Sequence, residues 1–578
     1  MKQIYTISIF FLPFWCFSQL YILPKNQVGS FMYVEGGLLY VEKNIDLKKN
    51  PAGEFEANIY LRNEGQLLQG AENIKNTGTG SLSVFQEGNA TTYTYNYWGL
   101  PISINAQSTR LDDIFFEPLT RTHSKPAIVT SNYNGKANPL TISNRWIYKL
   151  SGNGTYSDWI FVGNNFNLLP GEGFTMKGVE GINLDVRLYG VPNNPGNAQR
   201  YDFRGTPNTG IISLNIKKDE VLLVGNPYPS ALDLNRFLIE NKNTTGIAYF
   251  WDSRPVSSHY LKDYEGGYGA YSPALGRDGY VPAVFYNYND SGEIYAITGN
   301  TGEYYARRYS PVGQGFLVEG LSNGEIHFRN EYREFQKENP EFSEFKTREK
   351  LPDFGEIPFF RLNVTFKDLY TRQLLAAIHP AATPGIDRAM DAKNFSPLPT
   401  DVGFWNENDH YVIDVRNEFT EIPLSITSKE ITTATFYLSK HDLKTDIFLW
   451  DREENIYYNL RYQEVSFSIP KGETQSRYWI RSTKNIEPGS PEIPVLNEFK
   501  IFQNNIMHRA EIISPLTSPP QIIGIYDLAG KKVKEVRGTS QDFHYEIPTG
   551  NLSKGIYIIK IISRDGTIVS KKVIISNL

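Results

Sequence analysis

Gln521-Ile-Ile-Gly-Ile-Tyr526, then Asp527-Leu-Ala-Gly530, then Lys531-Lys-Val-Lys-Glu-Val536: an apolar run rich in β-branched residues, a turn, and an answering run. The same figure recurs a few residues on. Ile556-Tyr-Ile-Ile-Lys-Ile-Ile562 reaches Arg564-Asp-Gly566 and returns through Thr567 to Ile575. Glycine supplies the positive φ that a tight turn needs, so each stretch predicts a β-hairpin. The end of the chain therefore reads as a small all-β unit, and the same punctuation can be followed upstream.

Three motifs fall in order within that unit: Ile525-Tyr526-Asp527-Leu528-Ala529-Gly530-Lys531, Leu552-Ser553-Lys554-Gly555-Ile556-Tyr557, and Lys571-Lys572-Val573-Ile574-Ile575. With them, residues 495–578 resemble the type A C-terminal sorting domain of proteins exported by the bacterial type IX secretion system. The slot where that family opens with a Tyr-Pro-Asn-Pro-like turn holds Phe502-Gln503-Asn504-Asn505. The resemblance implies a small β-sandwich that serves as an address. Its marks here are Tyr526, Asp527, Gly530, Leu552, Gly555, Tyr557, Lys571 and Lys572. It implies recognition by the type IX machinery, passage from the periplasm across the outer membrane, removal of the tail, and release or attachment at the cell surface. Gly555 is expected to refuse a bulky side chain if its φ is positive.

The N-terminus points the same way. Lys2 precedes a mostly apolar run, Ile4 to Phe17, which ends at Cys16-Phe17-Ser18. The run is too short to span a bilayer and sits where a secretory signal peptide belongs, so residues 1–18 are assigned to one. The chain's one cysteine, Cys16, lies inside it. The expected mature chain has no disulfide, thiolate metal site or cysteine nucleophile. No later stretch has the length of a transmembrane helix.

At 578 residues the chain exceeds a single core, and length alone suggests about four domains. Net charge is −5 with the signs scattered, so no nucleic-acid partner is predicted. Abundant Tyr (37) and Phe (34), punctuated by Gly (47) and Pro (33), favour short strands with many turns. The fold class read from this is all-β and multidomain, built of β-sandwich-like modules.

Residues 19–92 alternate in short apolar runs such as Phe31-Met-Tyr-Val34 and Asn58-Ile-Tyr-Leu61. A sandwich is preferred there over a β-solenoid, because no fixed-period repeat appears. Two motif pairs then mark modules at 93–198 and 199–330. The first runs from Tyr93-Thr-Tyr-Asn-Tyr-Trp-Gly-Leu-Pro101 to Leu169-Pro-Gly-Glu-Gly-Phe-Thr-Met-Lys-Gly178. The second runs from Val224-Gly-Asn-Pro-Tyr-Pro-Ser230 to Ser310-Pro-Val-Gly-Gln-Gly-Phe316. They read as a diverged internal duplication. Inside the second, Ser230 and Asp233 form a Ser-x-x-Asp capping box for a helix that puts Leu234, Phe237 and Leu238 on one face. Eleven of the twenty residues in 331–350 are charged, which predicts a solvated linker. Residues 351–483 read as a β-sandwich, 484–494 as a Pro-rich linker, and 495–578 as the sorting domain.

No Gly-x-Ser-x-Gly elbow, His-Glu-x-x-His pair or phosphate-cradling loop is present, and no cofactor or metal is expected. Asn287, Asn289, Ser291 and Gly292 fit the start of a calcium loop. Thr298 stands where a bidentate Glu is required, so the stretch reads as a turn. The candidate ligand-binding residues are Trp251, Asp252 and Tyr268. Asp263 and Glu265 are further carboxylates among Tyr260, Tyr264 and Tyr271. Aromatic faces stack on sugars and carboxylates bind hydroxyls; an aromatic-rich turn covering the module is the structural alternative. The expected function is an exported surface or secreted protein that binds rather than catalyses, adhesin-like, with a glycan or matrix ligand. A secreted polysaccharide hydrolase and a structural surface component are the alternatives.

Overall fold

The computed structural model describes residues 20–25, 29–49, 57–104, 110–165, 167–188, 190–194, 199–289, 292–338, 357–367, 369–483, 499–504, 508–514, 519–538 and 544–575. The expected signal peptide and the Pro-rich linker lie outside these residues. The described chain is β-rich throughout, as its turn-punctuated apolar runs predict. Among the described residues no helix is long and apolar enough to cross a membrane.

The chain divides into two compact units. The first comprises Met1–Phe419, Pro423–Leu443 and Ser466–Gln475. It opens with parallel rungs. Met32–Glu35, Ile59–Arg62 and Leu82–Gly88 pair in parallel, as do Leu38–Val41 with Gln66–Gln69 and Leu20–Ile22 with Ile45–Leu47. This is solenoid pairing, not the sandwich preferred from the sequence. The period escapes notice because the loops differ in length: Met32 pairs with Ile59, but Ile59 with Leu82. Ile45, Ile59, Leu61, Leu67 and Leu82 fill the interior. Arg62 lies fully buried, its Nη1 donating to the carbonyls of Leu61 and Ser83 and its Nη2 to Ser83 Oγ.

Strand Gln199–Pro207 lies antiparallel to Leu82–Gly88 and Phe115–Pro118, so the expected border at 198/199 falls within this packed sheet. A larger sheet runs Trp159–Phe161, Tyr148–Gly152, Val221–Gly225, Gly315–Gly320, Thr244–Ser253, Gly266–Tyr271, Val284–Tyr288, Ile294–Thr301. It takes strands from both expected modules.

The two motif pairs meet reciprocally. Phe174 pairs with Trp98, and Phe316 with Val224. Across the modules, Trp98 bridges to Gln314 and Val224 to Glu172. Gly99 N donates to Gly313 O at 2.7 Å, and Gly225 N to Gly171 O at 3.0 Å. Gly171 and Gly313 both take positive φ, 90° and 72°, which is why glycine stands in each. At the centre the Gly99 and Gly225 backbones touch: a Cβ on Gly225 would lie 2.4 Å from Gly99 Cα.

The one α-helix of the described residues, Leu234–Glu240, buries Leu234, Phe237 and Leu238 as expected. Its cap differs from the expectation. Asp233 is the N-cap and accepts from Arg236 N at 3.2 Å. Ser230 is too far upstream, because Ala231–Asp233 is a strand; its hydroxyl instead accepts from Arg333 Nε. Residues 331–338, expected in the charged linker, are built into the fold. Arg333 and Gln336 are buried, and Gln66 Nε2 donates to the Gln336 carbonyl. Their polar groups are met by chain far upstream, which charge counting does not see.

Strands Asp401–Asn406, Asp409–Arg416, Thr371–Ile378, Phe359–Phe366 and Thr432–His441 follow one another in a further sheet. Arg372 and Asp401 form a buried two-pronged pair there, at 2.9 and 2.6 Å.

The second unit comprises Thr420–Ile422, Lys444–Val465 and Ser476–Leu578. Its C-terminal part is a small β-sandwich. Lys500–Asn504, Arg509–Ile513 and His544–Pro548 form one sheet; Lys532–Arg537, Pro520–Asp527, Gly555–Ser563 and Ile568–Ile575 form the other. Ile512, Ile523, Ile525, Ile559 and Ile561 fill the space between them.

Candidate functional site

In the C-terminal sandwich both predicted hairpins are formed, with Gly530 at φ 81° and Gly566 at φ 87°. Asp527 is the turn's anchor: its Oδ1 accepts from the amides of Ala529 and Lys531 at 3.0 and 2.9 Å. Tyr557 packs in the core and donates to the Ser553 carbonyl at 2.8 Å. Lys571 and Lys572 are exposed on the last strand. The condition set for Gly555 is not met. Its φ lies outside the left-handed region, and an added Cβ would meet nothing nearer than Tyr557 Cε2 at 3.8 Å. It begins a strand instead of making a turn.

Trp251 and Tyr268, singled out in the sequence, stand opposite each other on strands Thr244–Ser253 and Gly266–Tyr271, ring centroids 5.1 Å apart. The Tyr268 hydroxyl lies 2.8 Å from that of Tyr97. Asp252 Oδ1 accepts from Ser253 N and Oδ2 from Glu303 N; burial raises its carboxyl above the usual range. Asp263 accepts from Ser258 Oγ, and Glu265 from Arg254 and Asn300. Each carboxylate already serves a local donor.

The ring system continues into an open cleft. Phe395 stands 5.1 Å from the Tyr268 ring and 4.4 Å from Tyr249. Tyr249, Phe395 and Trp405 line a cleft of about 600 Å³ together with Glu319, Lys393 and Asp409. That volume lies within the roughly 300–1,000 Å³ of small-ligand sites. Asp219, His410 and Glu473 also reach it, so carboxylates outnumber ammonium groups. Lys393 is paired with Asp409. Burial raises the Glu319 carboxyl; Lys393 pulls it back, while Asp219 and Asp409 push it up again.

Phe395 is held in place from beneath. Asp401 Oδ2 accepts from Asn394 Nδ2 and Leu398 N, both at 2.9 Å, pinning the segment between them. Burial alone would raise Asp401; the Arg372 charge and its hydrogen bonds hold it below the usual carboxylate range. Sequence reading missed Phe395 and Trp405 because they sit in an otherwise ordinary stretch, far from Tyr249. The repeated aromatic positions on strand Thr244–Ser253 were the only signal.

A second cluster surrounds Lys177, the last residue of strand Phe174–Lys177. Lys177 is 3% exposed. Its Nζ lies 3.6 Å from the Trp146 ring centroid, 4.8 Å from Tyr95 and 5.0 Å from Tyr264. It donates to His259 Nδ1 at 3.0 Å and to the Tyr264 hydroxyl. Burial pushes its ammonium group down to about 7. Burial, and then the Lys177 charge, hold the His259 imidazole down at about 4.

Residues 25–481 match the family described as "Domain of unknown function (DUF8693)". The chain belongs to this family. The DUF8693 region thus covers the solenoid after its first strand, both motif pairs, the cleft and the Lys177 cluster. Residues 505–576 match the secretion system C-terminal sorting domain, so the DUF8693 body carries a type IX sorting tail at its end. No curated protein matches the chain. Among solved structures, dimeric latent PorU from Porphyromonas gingivalis is similar at 10% identity over 65% of this chain and 35% of that one, with a TM-score of 0.14. The BSP domain of a biofilm associated protein is similar at 8% identity over 86% of this chain and 96% of that one, with a TM-score of 0.16. The chain spans about a third of the PorU chain, and at such TM-scores neither likeness bears on fold or function.

Proposed function

We propose that this is an exported, adhesin-like glycan-binding protein whose ligand lies in the cleft floored by Tyr249, Phe395 and Trp405. The observation that carries the reading is aromatic faces beside carboxylates in one cleft of ligand size. Sugars offer flat C–H faces to stack on rings and hydroxyls to donate to carboxylates. Trp251 and Tyr268 support the binding surface from behind through Phe395, and Asp252 fixes the strand that carries Tyr249. The sorting tail gives the body its route through the periplasm to the cell surface, by way of the type IX machinery.

A second reading, a polysaccharide hydrolase, draws on Glu319. A carboxyl raised by burial is suited to donate a proton to a leaving oxygen. One experiment addresses both. The mature protein is applied to a panel of polysaccharides, with binding and new reducing ends measured together. Binding without product is expected, with Trp405→Ala weakening it about tenfold, in line with the roughly 1.4 kcal/mol that a stacking ring contributes. Product formation abolished by Glu319→Gln would replace binding with hydrolysis. Retention by the panel unaffected by Trp405→Ala would remove the cleft from the reading. Export is tested separately: deleting 495–578 should leave the protein in the periplasm, and its continued appearance outside the cell would contradict the route.

A further inference from the structure

Among the described residues that line the cleft, the carboxylates Asp219, Glu319, Asp409 and Glu473 stand against one ammonium group, Lys393, and the His410 imidazole. Their partners divide them. Lys393 Nζ lies 2.5 Å from Asp409 Oδ2, so those two charges cancel. Glu473 Oε1 accepts from Gln475 Nε2 and, at 3.4 Å, from Ser425 Oγ. Asp219 and Glu319 are left over. Among the described residues neither carboxylate accepts a hydrogen bond or enters an ion pair.

The two acids stand together at a strand end. Glu319 faces Val221 across the ladder, and Asp219, two residues before Val221, donates its amide to the Gly320 carbonyl at 2.8 Å. Glu319 is half-buried, and a carboxylate drawn partly out of water without a partner is a cost that a bound cation offsets. Rings lie beside it. Tyr249 pairs with Leu317, two residues before Glu319, so both side chains emerge on one face of the sheet. Phe395 stands 4.4 Å from the Tyr249 ring, and Trp405 continues the lining. Ring faces carry negative potential and attract cations. The cleft thus presents to solvent the two groups that hold an ammonium ion, anions and ring faces. A neutral sugar would leave both acids unanswered, and a uronic or sulfated sugar would be repelled by them.

We propose, resting on the glycan-binding reading, that the cleft selects a glycan whose sugars carry a free, protonated amine, with Glu319 and Asp219 receiving the ammonium group. The C–H face of the sugar lies on the rings, and the nitrogen offers three N–H donors to the two unpartnered carboxylates. Acetylation of that nitrogen removes its charge and two of its three donors, so a deacetylated hexosamine is held and its N-acetyl form is not.

The test uses the full mature protein and three probes: the glucosamine tetramer, its fully N-acetylated form, and tetralysine. Calorimetry measures Kd at pH 6.5, where the amines hold their protons. The glucosamine tetramer should bind about tenfold more tightly than the acetylated one. Its affinity should fall several-fold between about 20 and 300 mM salt, which screens the ion pair, while that of the acetylated tetramer changes little. Glu319→Gln and Asp219→Asn should each remove most of the preference. Both keep the side chain's shape, and asparagine accepts the positive φ, 62°, of Asp219. Equal binding of the two tetramers overturns the amine assignment and leaves the glycan reading standing. So does a preference that survives when both acids are replaced together. Tetralysine held while neither tetramer is held overturns both readings and gives the cleft to a basic peptide. Failure of every probe to bind also overturns the amine assignment, and the response of the polysaccharide panel to Trp405→Ala then decides the glycan reading by itself.

Discussion

Lys177 and Glu319 occupy the same place in two matching constructions. Each stands three residues past the phenylalanine, Phe174 or Phe316, that pairs with the residue before the central glycine. Each is the strand residue that precedes a glycine, Gly178 or Gly320. Both are shifted toward neutrality by burial: the lysine down, the glutamate up. Their surroundings differ. Lys177 faces Tyr95 across the ladder and lies under Trp146 and His259, which close it in. Glu319 faces Val221, and its side opens on the cleft beside Lys393. One backbone scheme has thus produced a covered amine and an open acidic cleft. The difference comes from the loops and neighbouring sheets laid over each strand end, not from the strands themselves.

The comparison breaks most severely at its centre. Gly99→Val and Gly225→Val would each drive a Cβ into the partner backbone, where no side chain can yield. Each should cost about 3 kcal/mol or more. A thermal melt in which either variant unfolds like the parent would show that the two motif pairs do not depend on that contact.

Lys177 should give the next largest effect. Its folded pKa, about 7, lies below the unfolded value of 10.5. Above pH 10.5 it is neutral in both states and costs nothing. As pH falls toward 7 only the unfolded chain takes up the proton, so stability is lost, and the loss is complete below about pH 7. Lys177→Met should therefore stabilise the protein by about 2 kcal/mol at pH 6, and progressively less toward pH 10. Urea denaturation at the two pH values measures it. A gain that does not vary with pH would mean that packing, not charge, sets the effect.

Glu319 should show the smallest effect, with the opposite trend. A carboxyl raised above its usual 4.5 adds no cost below that pH; the burden builds as pH rises from 4.5, where only the unfolded chain ionises, and is complete above the folded value. Glu319→Gln should gain about 0.5 kcal/mol at pH 7 and nothing at pH 4. A gain already present at pH 4 would undo the symmetry of the two positions.

Legibility followed the range of the interactions. The tail's hairpins could be read because Asp-Leu-Ala-Gly and Asp-Gly fix their own turns within a few residues. The motifs that hold Gly171 and Gly313 could be read as a matching pair, and the structure gives both glycines a positive φ. The solenoid rungs were misjudged because unequal loops hide the period from any count along the chain. The helix cap was placed three residues early because Ser230 and Asp233 both fit a capping pattern, and only tertiary packing drew Ser230 to Arg333. Of the aromatic residues named in advance, Trp251 and Tyr268 do lie together. The open face beyond them belongs to Phe395 and Trp405, more than a hundred residues on in the sequence.

The sequence by itself determined that the chain is built of strands, where its tight turns fall, and that it ends in a sorting tail. Turn glycines and side-chain alternation act between near neighbours and need nothing else. Only the tertiary structure decided what Lys177 and Glu319 became. The desolvation that shifts each group, and the rings that cover one and leave the other open, come from segments that meet only when the sheets pack.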